Sequence, residues 1–448
     1  MSPEAGLRAS WNAPPVAVLA DQSLVWGLIC RDALTELEVP ARFLDATAIG
    51  GGALERFRVL VVPGGWAGHK LRALGDGGRA ALLRFIAGGG SYLGFCGGAG
   101  LALNGPGSLD LVPVRRLPVE RRLPNVSGAV WIAPAGEPES APHPAWQDLP
   151  RVLPSHIWWP SQFEPPRAAG VSVVARYRAV GRDFCAADLP LRDLADFPGP
   201  IPWAEWEARY GIHLDPQRLM GEPAIIEATH GHGRLVLSYP HLETPGDAWG
   251  RRLFRNLLQY LDRQAAAHVP LGAGKPQSVL PEPPCPGSLY HLERARATVD
   301  DLIDFGRRHL LWDWRTPWLL NWRRGLRGLE YGSMAVTLGY LRDVWPHLVD
   351  SGRAAGGWLQ PARQLEAEVK EFCRRAQWLL LEEKVSTQAA VLSKIGSVNP
   401  TVDQLRADLF GSHMHHGGRC RGVLDRIDRF LIAAWQLRDQ APGANRTR

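Results

Sequence analysis

Two short apolar runs, each running into a glycine-containing turn, restrict what the N-terminal half of this chain can become. Val59-Leu60-Val61-Val62 stops at Pro63-Gly64-Gly65, and Tyr92-Leu93-Gly94-Phe95 stops at Cys96. Strands that are apolar throughout and bounded by turn formers fit the buried centre of a parallel sheet. Between the two, Arg79 to Ala87 puts Leu82, Leu83 and Ile86 at the spacing of one helix face. The predicted unit is strand, helix, strand, with Cys96 on the turn that leaves the second strand.

A turn of that kind holds its residue up at the carboxyl edge of the sheet, where open α/β folds build their sites. Gly94, Gly97 and Gly98 surround Cys96, and the missing Cβ atoms permit the tight backbone the turn demands. A helix over Ala99 to Leu103 would aim its free N–H groups at the sulfur, a setting that favours thiolate, the reactive form. The competing role for a free Cys is that of a small buried hydrophobe. Pro63-Gly64-Gly65-Trp66 is expected beside the Cys96 turn, because strands ending at one edge bring their loops together. Backbone N–H groups of Gly65 or Trp66, with that of Gly97, would then form an oxyanion hole. The alternative for the PGG segment is a tight turn and nothing more.

The flanking sequence extends the same pattern. Val16 to Ala20 reads as a strand, Asp21-Gln22-Ser23 as an N-cap signal for a helix over Leu24 to Glu38, and Arg42-Phe43-Leu44 as a second strand. Strands and helices alternating at this spacing imply a parallel α/β sheet. Beyond Leu109 the helical signal fades. Leu111 to Val114, Ala129 to Ile132 and His156 to Trp159 read as short strands between Pro-rich loops, and Val171 to Val180 as a strand by its β-branched content. Residues 181 to 220 read as an insertion in which Trp203, Trp206 and Tyr210 share a helical face, either packing it down or facing a substrate. Ala224 to Thr229 and Arg234 to Ser238 form a hairpin around Gly231-His232-Gly233, and Trp249 to Leu261 a closing amphipathic helix.

PGGWAGHK followed by GGGSYLGFCGGAG resembles the class I glutamine amidotransferase-like superfamily, and within it the domain at the N-terminus of eukaryotic biotin–protein ligases. The resemblance continues through Trp158-Trp159-Pro160-Ser161-Gln162-Phe163, Val174-Ala175-Arg176-Tyr177 and GHGRLVLSYPHLE, and covers roughly residues 16 to 263. It implies a flavodoxin-like parallel sheet. In that superfamily a His followed two residues later by Glu, after a final strand, completes a Cys-His-Glu triad; here those residues are His241 and Glu243. His241 would take and return the thiol proton while Glu243 fixes its tautomer. Two departures narrow the reaction. Glutamine-hydrolysing members carry a Gln beyond the elbow, where this chain has Ala99, Gly100 and Leu101; and no GRGRxxR-type biotinyl-adenylate loop is present.

With 448 residues, 45% hydrophobic and 21% charged, the chain suits a globular protein of two domains. The net charge is +6, Lys occurs only at 70, 275, 370, 384 and 394, and no basic run is interleaved with aromatics, so no nucleic-acid partner is expected. Cysteines 30, 96, 185, 285, 373 and 420 make no CxxC pair. The N-terminus lacks an apolar core, and no apolar stretch reaches membrane-spanning length. Reduced thiols and a cytoplasmic location follow as expectations.

Six prolines between 264 and 287 mark a linker, after which the pattern is helical alone: Leu289 to Leu311, Gly328 to Val344, Pro361 to Lys384 and Thr401 to Leu437. The expected organisation is an α/β domain over 1–263, the linker, and an all-α bundle over 288–440. His413, His415 and His416 near Cys420 match no defined zinc framework, so no metal and no cofactor are expected. The run LLWDWRTPWLLNWRRG suits either a bundle anchor or a membrane interface. The functional expectation is a cysteine-dependent hydrolase or amidotransferase-like protein acting on an amide, peptide or ester carbonyl of a small molecule or peptide. The helices would then select substrate or contact a partner protein. The rival expectation is a catalytically silent binding or scaffold module of the same fold.

Overall fold

A computed structural model describes residue 11 and residues 13–136, 141–269, 281–350, 356–389, 396–411 and 417–438. The chain divides into two units, Met1–Pro276 and Gln277–Arg448.

In the first unit the apolar runs become the buried middle of a sheet. Strands β1 (Val16–Leu19), β3 (Val59–Val62) and β4 (Ser91–Phe95) are buried at every residue. With β2 (Ala41–Leu44) and β11 (Gly233–Ser238) they form a parallel set in the order β2-β1-β3-β4-β11. That is the flavodoxin-like order, whose reversal between the first and third strands leaves a crevice at the carboxyl edge.

The expected parallel sheet is only part of what forms. Beyond β11 the sheet continues antiparallel through β10 (Pro223–His230), β7 (Val171–Val180) and β5 (Val126–Pro134). β5 also pairs with β6 (Leu153–Trp158) and with β8 (Cys185–Ala186), which pairs with β9 (Leu189–Pro190). Eleven strands are joined in all among the described residues. Parallel pairing needs a crossover of a dozen or more residues, and the stretch from β5 to β10 has no sheet-covering helix to supply one. Leu111 to Val114, expected as a strand, makes only the isolated bridge Leu103–Val112.

The helices that position the site are α1 (Val25–Glu36), α2 (Ala46–Gly50), α3 (Ala67–Ala87), α4 (Gly97–Ala102), α5 (Trp203–Tyr210) and α6 (Ala248–Ala266). α3 spans more than its apolar pattern suggests because it is two helical segments joined at a kink, Gly75, with φ 56° and ψ −169°. The expected N-cap at Asp21-Gln22-Ser23 is not what starts α1. Leu24 occupies that position with no side-chain cap, while Ser23 Oγ donates to Leu19 O (3.2 Å) and accepts from buried Lys70 Nζ (2.6 Å). A lysine removed from water needs that oxygen more than a helix end does. α6 does have a cap: Asp247 Oδ1 accepts from Gly250 N at 2.7 Å. On α5, Trp203 and Trp206 meet edge to face at 5.8 Å, and Tyr210 donates to Asp188 at 3.1 Å, so this face is packed by its own neighbours.

The second unit contains α7 (Pro286–Arg308), α8 (Leu329–Val344), α9 (Leu359–Ser386), α10 (Pro400–Phe410) and α11 (Gly418–Arg438). It is not purely helical. The Trp-rich run folds into a hairpin, β12 (Trp312–Thr316) and β13 (Leu319–Trp322), turning at Pro317-Trp318. Proline cannot continue a helix, and Pro317 falls at the turn between the two strands. Trp312 is buried, donates from Nε1 to Ile303 O at 3.0 Å, and packs on Gly306, where any side chain would overlap it. The expected single span from Thr401 is also interrupted, at Gly411 (φ 79°). His413, His415 and His416 lie outside the described residues, as do 270–280 of the Pro-rich stretch. No helix among the described residues is long and apolar enough to cross a membrane.

This unit holds a buried ion pair. Arg406 Nε and Nη2 reach Glu383 Oε1 at 2.8 and 2.7 Å, and Nη2 also donates to Gly325 O at 3.1 Å. Burial pushes the Glu383 carboxyl up to about 7 against the charges of Arg406 and Arg327. Removing one partner leaves the other buried alone, so Arg406→Met is expected to cost the helical unit about 3–5 kcal/mol. Adding Glu383→Met should restore most of it, as measured by chemical denaturation.

Candidate active site

Four loops leave the carboxyl edge of the parallel strands together, those after β1, β3, β4 and β11. Cys96 stands at the end of β4 with φ 45° and ψ −100°, a conformation uncommon for a residue with a Cβ. The neighbouring glycines explain how the chain tolerates it. A Cβ on Gly98 would overlap the Val62 carbonyl oxygen, one on Gly97 the Gly65 carbonyl oxygen, and one on Gly94 would come within 2.7 Å of Gly98 C. The elbow is thus pressed directly against the PGG turn. Gly65 itself has φ 108° and backs onto the Gln22 carbonyl. Gly97 is the first residue of α4, where N–H groups have no intrahelical acceptor. All six cysteines are free thiols, and Cys96 alone is partly exposed.

The loop after β11 carries His241 and Glu243. β4 and β11 pair in parallel with Phe95 opposite Ser238, and Cys96 N donates to Ser238 O at 2.8 Å, so Cys96 and His241 emerge from adjacent strand ends. His241 and Glu243 are both 0% exposed, and Nδ1 is 2.7 Å from Glu243 Oε1. The loop is pinned on several sides. His241 N donates to His156 O (2.7 Å), Thr244 Oγ1 to His241 O (2.7 Å), and the Trp26 ring lies 4.4 Å from the imidazole. The other ring nitrogen, Nε2, is buried and makes no hydrogen bond of full geometry, and the Cys96 sulfur is near enough to act on the ring. Such contacts are commonly loose before substrate binds and tighten afterwards.

Burial works to lower the imidazole pKa. The Glu243 carboxylate and the Cys96 sulfur, by charge and hydrogen bonding, outweigh it and hold His241 at about 10. The sign of the consequence follows from linkage. A pKa raised from 6.5 to about 10 gives stability that is complete below 6.5 and lost as pH rises through about 10. The melting-temperature gap between wild type and His241→Gln is therefore expected to be widest at about pH 6.5 and to shrink steadily as pH rises from there to about 10.

The expected residues Cys96, His241 and Glu243 thus meet at one sheet edge, with Gly65, Trp66 and Gly97 in the two turns beside them. Sequence reasoning did not single out Trp26, Arg116, Arg122, Tyr177 or Tyr239. Arg116 packs on Gly100, where a Cβ would lie 3.2 Å from its Nη2, and Nη2 donates to Gly100 O at 3.1 Å. Tyr239 precedes Pro240-His241 directly, and its position two residues before the histidine was the one available signal. Among the described residues no group of three or more His, Cys, Asp or Glu is arranged to hold a metal ion.

No family model matches the chain, and no curated protein matches it. Among solved structures it is similar to a GMP synthase-type protein from Thermoplasma acidophilum, at 14% identity and TM-score 0.36, covering 57% of this chain and 96% of that one. A ThuA-like protein from Bacteroides uniformis matches at 13% identity and TM-score 0.36, covering 57% and 94%. A β-galactosidase from Bacillus circulans matches at 13% identity and TM-score 0.31, covering 56% of this chain and 32% of its own. Likeness at this level carries no functional weight, and the chemistry has to be argued from the residues.

Proposed function

We propose that the α/β unit is a cysteine-dependent hydrolase or acyl-transfer enzyme that cleaves an amide, peptide or ester carbonyl. The observation that carries this reading is the buried His241–Glu243 hydrogen bond, at 2.7 Å, on an imidazole that also feels the sulfur of Cys96, a cysteine at positive φ on the adjacent strand end. Glu243 holds the proton on Nδ1 and stabilises the imidazolium. Cys96 Sγ attacks the carbonyl carbon, and the carbonyl π pair moves to oxygen. N–H groups of Gly97 and of Gly65 or Trp66 receive that charge. Collapse breaks the C–N or C–O bond, and the Nε2 proton passes to the leaving group. Water then attacks the thioester, gives its proton to His241, and the thiolate departs as the acid is released.

A plain glutaminase fits less well. At the elbow helix, Arg116 covers the surface where a carboxamide-binding side chain would stand. The helical unit would select substrate or contact a partner protein, and six free thiols suit a reducing compartment. The direct test is titration of the full chain with an electrophilic amide probe followed by peptide mapping. One equivalent on Cys96 supports the reading. Label spread over the buried thiols, or none at all, overturns it and leaves the binding-module alternative.

A further inference from the structure

Close enough to Cys96 to interact with its charge, polar groups gather without partners to explain them. Tyr177 and Tyr239 are 0% and 1% exposed, yet neither hydroxyl makes a hydrogen bond of full geometry among the described residues. The same holds for the buried Arg122 Nε and for Ser161 Oγ, which lies close enough to Tyr239 to act on its hydroxyl. A buried polar group left unpaired costs stability, so a cluster of them marks a place where something else binds. The cluster is also built rather than accidental. Backbone pairing of Leu117 N with Gln162 O (2.8 Å) and Glu164 N with Arg115 O (2.9 Å) joins the segment carrying Arg116 to the one carrying Ser161. Gln162 Oε1 accepts from Leu123 N at 2.8 Å, fixing the chain beside Arg122, and Phe163 packs on Tyr239 at 4.2 Å.

The chemistry of the cluster is one-sided. Arg116 donates only to Gly100 O and Arg122 to Pro160 O (3.3 Å), and neither meets a carboxylate at ion-pair distance among the described residues. The charges of Arg116, Arg122 and Cys96 act on Tyr239, and those of Tyr239, Arg116, Cys96 and, last and smallest, the Glu120 carboxylate on Arg122, so these groups share one field. Burial pushes both phenols up, Tyr239 to about 12, so each hydroxyl is available as a donor at neutral pH. Two guanidinium groups with three hydroxyls offer donors and positive charge, the set that recognises a carboxylate.

Building on the Cys96 reading above, we propose that Arg116, Arg122, Tyr177, Tyr239 and Ser161 form a carboxylate subsite, and that the substrate carries a negative charge close to its scissile carbonyl. Thiol alkylators of matched size test this on the full chain. The ratio of iodoacetate to iodoacetamide rate constants at Cys96 is expected to exceed that of glutathione in the same buffer by about tenfold, one charge-assisted hydrogen bond's worth of discrimination. Arg116→Gln and Arg122→Gln should each return the ratio toward the glutathione value. Arg115→Gln, which removes an equal charge from a side chain turned to Asn104, should leave it in place. A wild-type ratio equal to that of glutathione overturns the subsite and leaves the nucleophile reading standing. If neither reagent modifies Cys96, the nucleophile reading is lost, and glutarate decides the subsite. A rise in melting temperature of the Cys96→Ser chain with glutarate, absent when Arg122→Gln is added, supports it; no rise overturns it.

Discussion

A Cys96→Ala chain is expected to take no label from an electrophilic amide and to lose turnover of any amide or ester substrate by on the order of 10⁴- to 10⁶-fold. The size of the loss follows from how the site divides its work. The sulfur forms the covalent bond, so nothing else at the sheet edge can replace it; what survives is whatever the backbone donors and binding contribute alone. Glu243→Gln is expected to lower the same rates by about 10⁴-fold while leaving the fold intact, because an amide that donates to Nδ1 selects the wrong tautomer. The carboxylate reaches Nδ1 at 2.7 Å, which makes orientation of the imidazole its task. The rate constant for labelling by the amide probe, measured alongside circular dichroism, checks both. Wild-type labelling by Glu243→Gln would reduce the buried pair to a structural feature of the β11 loop.

What is legible in the chain alone is what is written locally. The runs Val59–Val62 and Tyr92–Phe95 declare a buried sheet because four apolar residues bounded by Gly or Pro are too few for a helix. Gly94, Gly97 and Gly98 around Cys96, and the His241–Glu243 spacing, are likewise contained within a few residues of each other. The antiparallel half is not legible in the same way. Its strands are assembled by pairings such as Ile226 with Val173 and Ala129 with His156, and no local signal records such partners. Arg116, Arg122, Tyr177 and Ser161 sit on or beside those segments, so their gathering into one cluster cannot be collected from sequence. The Trp-rich run misleads for a different reason. Its aromatic content points to burial, which Trp312 does show, and that content masks the turn at Pro317-Trp318 that folds it into a hairpin.

The elbow also permits a prediction about the fold, since its geometry depends on one close backbone approach. Gly98→Ala is expected to destabilise the α/β unit by more than about 3 kcal/mol, the range of overpacking where the obstructing atom cannot move aside. That atom is the Val62 carbonyl oxygen, held in β3 between two parallel neighbours, so neither a rotamer change nor a small shift of the turn relieves the overlap. Gly98 has an ordinary φ, and the cost is therefore steric rather than conformational. Gly77→Ala in α3 provides the matched control. No atom lies within 4 Å of the added methyl, and replacing a helical glycine there should raise stability by about 0.5–1 kcal/mol. Urea melts of the two variants should consequently move in opposite directions. A Gly98→Ala chain that melts like wild type would mean that the start of α4 does not pack on the end of β3, the strand that delivers the PGG turn.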